Sequence, residues 1–281
     1  MFSNRHLELL TAMTLLLSQA SCTPKARMIE GDIAQQVQQG IARGKGRFGH
    51  SKFDAILRPY SKPEAHQFDY AGLKLQQSEF ESYLKQVAHA DIASLSRDEL
   101  LAFFIDAYNA YTIKTILDTM TPDRPTGVAS IRDISNVFGV RNHAVGGAML
   151  SLDNIEHNIL RPFFKDARIH FAVNCASVSC PALANHAFTG ANIDEQLEAA
   201  ARRTLQSPAY LRIEGDRLLL TKILDWYGSD FVKPGYRGAA NSLVEAIKPY
   251  TAPEVQKFIA ARGDKTPVGF MPYDWSLNKV Q

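Results

Sequence analysis

SRDELLAFFIDAYNAYTIKTILDTM, residues 96–120, is the stretch on which the fold turns. Ser96 and Glu99 have the spacing of a capping box, in which serine and glutamate each satisfy a backbone N–H left unpaired at a helix start. From Leu100 to Ile113 nearly every position is apolar, so the helix that opens here has no wet face and belongs inside a core. Two polar residues interrupt it. At about 100° per residue, Asp106 and Asn109 fall among Ala102, Ile105, Ala110, Ile113, Ile116 and Leu117, away from Lys114 and Asp118. Burying a carboxylate and an amide is costly unless both are hydrogen-bonded. The pair is therefore either a structural polar network or one wall of a cleft, with Tyr108 or Tyr111 beside it.

Downstream, SLDNIEHNILRPFF (151–164) repeats the anomaly. Ser151 is a candidate N-cap, and Leu152, Ile155, Ile159, Leu160 and Phe163 form an apolar stripe with Glu156 in its middle. His157 and Arg161, one turn apart, flank the stripe with Asp153. A glutamate so placed needs a cationic or hydrogen-bonding partner or a raised pKa, and Arg168 and His170 follow closely enough to supply one. It is either half of a structural ion pair or a functional carboxylate.

The segment Ala167–Asn174 then reads as a short strand that delivers NCASVSCP (174–181) at its end. Pro181 suits the first turn of a helix, which places Cys180 at its N-cap, where unpaired N–H groups and the helix dipole stabilise a thiolate. On this reading Cys180 is the candidate nucleophile, His170 its candidate base and Glu156 or Asn109 the group that orients the base, with His157 and His186 competing for the histidine's role. Asp106, Tyr108, Asn109, His157, Arg161, Cys175 and Ser177 are the candidate binding residues. A metal site on His170, Cys175 and Cys180 lacks a fourth ligand and paired short spacings, so neither a metal nor a cofactor is expected.

The rest of the chain reads as further helices and one hairpin. Helices are expected over Ile29–Ile41, Phe53–Pro59, Gln77–His89 and Asp194–Leu205, through DWYGSDF (225–231), and between Ser242 and Arg262. Leu211–Ile213 and Leu218–Leu220 flank Glu214-Gly215-Asp216 as a hairpin, and VGFMPYDWSLN (268–278) as a strand. Thr121–Gly127 and Lys233–Gly238 read as loops inside a domain. Trp226, Tyr227 and Trp275 suit core or groove anchors better than a sugar-binding platform. The fold class expected is α+β: a single helix-rich domain around a small, mainly antiparallel sheet.

The first residues read as an address. Arg5 and His6 precede an apolar run from Leu9 to Leu17, then small residues lead to Cys22, the pattern of an export signal. Cleavage after Ala20 frees a secreted protein; alternatively Ala20-Ser21-Cys22 acts as a lipobox and Cys22 is lipidated. The chain thus divides into an export signal (1–22), an N-terminal helix and linker (23–52) and a domain (53–281). With Cys22 removed or lipidated, Cys175 and Cys180 are the two thiols left, and in an oxidising compartment their default is a disulfide. A net charge of +2 with scattered basic residues excludes a nucleic-acid partner, and the only membrane contact expected is through the N-terminal signal or anchor.

AFFIDAYNAY, SLDNIEHNILR, RIHFAVNCASVSCPAL, LTKILDWYGSDF and YDWSLN together resemble, in order, the successive blocks of the domain of unknown function 547 family, from about Phe53 to Asn278. Asp106 departs from the asparagine that bacterial members usually carry there. The resemblance implies an exported bacterial member and the domain's limits, and brings no activity with it. Two function classes follow from the residues. One is a disulfide-stapled binding or scaffold domain of the cell envelope, whose partner is a small molecule or an envelope protein. The other is a thiol-dependent hydrolase or acyltransferase using the His170–Cys180 segment. A closed disulfide with no nearby base favours the first; a free, acidic thiol in a cleft lined by histidine favours the second.

Overall fold

The computed structural model describes residues 32–280. The expected export signal, and the expected start of the first helix at Ile29, lie outside the described residues.

In chain order the helices are α1 (Asp32–Arg43), α2 (Ser51–Tyr60), α3 (Tyr70–Leu75), α4 (Gln77–Ala88), α5 (Arg97–Thr119), α6 (Ile193–Leu205), α7 (Lys222–Val232), α8 (Leu243–Ile247) and α9 (Pro253–Ala260). The strands are β1 (Ser61–Lys62), β2 (Gln67–Phe68), β3 (His143–Val145), β4 (Ala148–Leu150), β5 (Leu211–Glu214), β6 (Arg217–Leu220) and β7 (Val268–Phe270). The fold is helix-rich α+β, as the sequence predicts. Its strands are divided among three small sheets, β1–β2, β3–β4 and β5–β6–β7, all antiparallel except the β6–β7 pair. No helix among the described residues is long and apolar enough to cross a membrane.

α5 is the axis of the larger core. Every residue from Glu99 to Ile113 is buried, and α1, α3, α4 and α6 pack around the helix. The capping box forms by half. Ser96 Oγ accepts from Glu99 N at 3.4 Å, but the Glu99 carboxylate turns away to His50 and the Gly190 N–H. A second apolar core gathers Leu205, Leu218, Leu220, Leu224, Phe231, Ile247 and Ile259 from α6–α9 and the three-stranded sheet. Two elements belong to both cores: α6, through Ile193 and Leu197 on one side and Ala201 and Leu205 on the other, and the turn 167–171, through Ile169 and Phe171.

That turn corrects one expectation. Ala167–Phe171 is a 3-10 helix, not a strand. Asp166 caps it by accepting from Arg168 N at 3.1 Å and forks onto the Arg168 guanidinium at 3.0 and 2.7 Å. All five of its residues are buried, so the apolar pattern carries no period that separates strand from helix. Upstream, Asn154–Phe164 is a π-helix, wound wider than the expected α-helix. Ser151 and Asn154 cap it reciprocally, each side chain accepting from the other's N–H at 3.1 Å.

The segment after β7 crosses the molecule as a strap. Met271 N donates to Leu220 O, Leu277 N to Ala129 O, Asn278 N to Ala176 O and Val280 N to Phe68 O. Only Val268–Phe270 of the expected 268–278 strand is sheet; the remainder is held by isolated bridges, among them Ser276 to Ser130 and Leu277 to Ser177.

Candidate functional site

A pocket of ≈ 390 Å³ opens where the π-helix, the cysteine loop, α7 and the strap meet. Glu156, His157, His170, Cys175 and Cys180 share its lining with Tyr108, Trp226, Tyr227, Tyr273 and Trp275.

The cysteine side is built by asparagines. Asn109 on α5 takes the Asn174 N–H on Oδ1 at 2.8 Å and gives Nδ2 to Ala172 O at 3.0 Å, so the polar anomaly of the buried helix is what pins this loop. Asn174 Oδ1 in turn accepts from Ala176 N at 2.8 Å, and Asn174 Nδ2 donates to Pro181 O at 2.8 Å. Ala176 is held at φ 61°, the left-handed region that an L-residue enters only at a cost. That turn folds Ser177 back onto Cys175. The Cys175 sulfur is 2.9 Å from Cys180 Sγ, 3.2 Å from Ser177 Oγ and 3.1 Å from the Tyr273 hydroxyl. Cys180 Sγ accepts the Cys175 N–H at 2.9 Å and lies 2.9 Å from the Cys175 sulfur, with Val173 O 3.9 Å away as its own acceptor.

These donors divide the two thiols. Hydrogen bonding from Cys180, then from Ser177 and Tyr273, outweighs burial and brings Cys175 down to about 7. Burial, and the neighbouring Cys175, push Cys180 well above the ordinary thiol range. Three expectations are corrected here. Cys175 and Cys180 are free thiols, a hydrogen bond apart and not at the bonding distance of about 2.05 Å. No helix follows Pro181, so Cys180 is not an N-cap and gains nothing from a dipole. The thiol with the stabilised anion is therefore Cys175, assigned from sequence to binding, and not the buried Cys180.

The opposite wall holds the ionisable groups. His170 Nε2 is 2.9 Å from Asp230 Oδ2, and its ring stacks on Tyr227 with centroids 4.1 Å apart. Asp230 also receives a two-pronged contact from Arg161, Nε at 2.7 Å and Nη2 at 2.9 Å. Burial works to raise Asp230, but His170 and Arg161 together hold it well below the usual carboxylate range. With Nε2–H committed to Asp230, His170 is left with a free Nδ1, which faces Glu156 Oε1 at 3.6 Å. His157 Nδ1 is 3.8 Å from the same oxygen and takes Arg161 Nη1 at 3.3 Å. Glu156 Oε1 and His170 Nδ1 are both buried without a hydrogen-bond partner. Asp153, 3.8 Å from His157 Nε2, is raised by burial, with Glu156 adding to the shift and His157 opposing it.

Of the residues singled out in the sequence, Glu156, His157, His170, Tyr108, Cys175 and Cys180 thus line one pocket, while Asn109, Arg161 and Ser177 position its walls. Asp106 does not join them. It is fully buried beside a second, smaller cleft of ≈ 360 Å³, where His50 lies between Glu99 Oε1 at 2.7 Å and Asp106 Oδ2 at 2.8 Å. Asp106 Oδ1 accepts from Phe188 N at 3.1 Å, so its role is a structural network. Arg168 goes to Asp166 and Asp194 rather than to Glu156. The three-ligand metal cluster weighed from the sequence does not appear among the described residues.

Sequence reasoning missed Asp230 and Tyr273. Asp230 lies three and four positions after Tyr227 and Trp226 on α7, a spacing that puts all three on one face and could have flagged it. Tyr273 is 98 residues from the thiol it contacts, and no local pattern announces it.

Residues 92–205 match the family model described as "Protein of unknown function, DUF547". The matched span runs through α5, the π-helix, the cysteine loop and α6, and ends before Asp230, Tyr273 and Trp275, which is shorter than the resemblance read from the sequence blocks. No curated protein and no solved structure matches the chain.

Proposed function

We propose that this chain is a thiol-dependent acyl-transfer enzyme, a hydrolase or acyltransferase, with Cys175 as its nucleophile. The observation that carries this reading is the Cys175 sulfur itself, set in a pocket wall among three hydrogen-bonding partners, opposite an oriented histidine. The discriminators named above fall on this side: the thiols are free, one is acidic, and histidines line the cleft.

In the chemistry this arrangement suits, the Cys175 thiolate attacks a carbonyl carbon and an S–C bond forms as the carbonyl electron pair moves to oxygen. The charge leaves the sulfur at that moment, so the hydroxyls of Ser177 and Tyr273 are released as donors beside the new oxyanion. Collapse breaks the bond to the leaving group, whose proton comes from the Glu156–His170–His157 wall. The same wall takes the proton of the water or acceptor that cleaves the thioester and returns the thiolate. Asp230 and Arg161 hold His170 and His157 and do not touch substrate; they are positioning residues.

We further propose that the chain is exported, on the strength of the charged start, short apolar run and small-residue exit over residues 1–22. An oxidising compartment threatens two thiols this close, so the assay carries a reductant. Assay against activated thioesters and p-nitrophenyl esters should show turnover that Cys175→Ala abolishes, with a loss on the order of 10³-fold or more, and that Cys180→Ser reduces far less. A Cys175→Ala protein as active as the parent would overturn the reading.

A further inference from the structure

The pocket's floor is short of a donor. Glu156 is 6 % exposed and the Tyr227 hydroxyl bears on its carboxylate, yet its Oε1 has no hydrogen-bond partner; His170 Nδ1 and His157 Nδ1 lie at 3.6 and 3.8 Å. A buried carboxylate oxygen left without a donor is expensive, and such atoms are rare where nothing is meant to fill the gap. The charges around the floor have a sign. Of the charged residues that line the pocket, two carboxylates, Asp153 and Glu156, stand against one guanidinium, Arg132, while Arg161 behind the wall is paired with Asp230. Above them the walls are ring faces. Tyr227 stacks on His170, and Trp226, Tyr273 and Trp275 pack on one another with centroids 4.5 to 5.7 Å apart.

A carboxylate beneath a group of aromatic faces is the arrangement that stabilises an ammonium, by charge at one end and by ring quadrupoles around it. We infer that the pocket recognises a substrate carrying a cationic amine, docked as ammonium on Glu156 among the rings of Tyr108, Trp226 and Trp275. This inference gives a substrate class to the proposed acyl-transfer site and rests on that reading for the reaction, though not for the binding. Arg132, whose guanidinium lies 5.0 Å over the Trp275 ring at the rim, is the competing charge and would instead favour an anion.

The chain has two tryptophans, and both line this pocket, so intrinsic fluorescence reports on it without any assay of catalysis. The full-length protein is titrated with tetramethylammonium chloride and with butylammonium chloride, against potassium chloride at equal ionic strength and against 1-butanol as the neutral counterpart. The expected result is a saturable change with the two ammonium ions alone, weakened about tenfold in Glu156→Gln and preserved or strengthened in Arg132→Gln. No cation-specific change, or a response to acetate that Arg132→Gln removes, overturns the inference. Should Glu156→Gln fail to fold, the comparison of ammonium with butanol in the parent and in Arg132→Gln still decides. Because the readout ignores Cys175, saturable ammonium binding in a protein without thiol-dependent turnover overturns the catalytic reading alone.

Discussion

The acidity of Cys175 comes from its contacts and not from its type. Its three partners come from two places, Cys180 and Ser177 on its own loop and Tyr273 on the strap. Because the thiolate is the attacking form, its alkylation rate should climb as pH rises through about 7 and level off above. Tyr273→Phe removes one hydroxyl and moves that midpoint upward, toward the ordinary thiol value of about 8.5. Iodoacetamide labelling from pH 5 to 9, with the modified peptide identified by mass, measures both; a parent midpoint at 8.5 or higher would sink the assignment. Single residues were legible in the sequence where they broke a pattern. Asp106, Asn109 and Glu156 stood out because they interrupt apolar faces, and all three are buried and polar in the structure. The partners of Asp106 and Asn109 were not legible, since His50 and Asn174 are joined to them only by tertiary packing.

Between elements, the clearest example is His50, at the N-terminus of α2, held between two carboxylates of α5. Burial works to lower its pKa, but Asp106 and Glu99 outweigh it and raise His50 to about 9. The folded state therefore binds this proton more tightly than the unfolded chain does. Its stabilisation is complete below about 6.5 and is lost as pH rises toward 9, and it is worth on the order of 2–3 kcal/mol. Denaturation midpoints taken between pH 6 and 9.5 should fall with pH in the parent and stay flatter in His50→Gln; equal slopes would remove the ion cluster from the account. Elements with a clear period were found close to their predicted limits, including α4, α6 and the β5–β6 hairpin. Residues 167–174, buried throughout, offered apolar content without a period, and the helical stripe of 154–164 does not separate a π from an α winding; Asp166 caps the first, and Ser151 with Asn154 the second, through short-range hydrogen bonds that a strand or α-helix template ignores.

At the scale of the whole molecule, the pocket exists because two cores meet and a strap closes their seam. Asn278 fastens that strap: its Oδ1 accepts from Tyr70 OH at 2.8 Å, its N–H reaches Ala176 O at 3.0 Å, and its Nδ2 lies 3.4 Å from Asn174 Oδ1. Asn278→Ala leaves the Tyr70 hydroxyl buried and unpaired, and should cost about 1–3 kcal/mol in urea denaturation while slowing Cys175 alkylation at pH 7. A variant with unchanged stability and unchanged labelling would show that the strap is not what holds the loop. The fold class could be read from composition and periodicity; the closing of the seam could not, because it joins segments 98 to 208 residues apart. The strap also imposes an order in time. A ribosome adding about 5–20 residues per second releases Cys175 roughly 5–20 s before Tyr273, 98 positions later. Throughout that interval the thiol lacks its Tyr273 donor, the last of its three partners to be made.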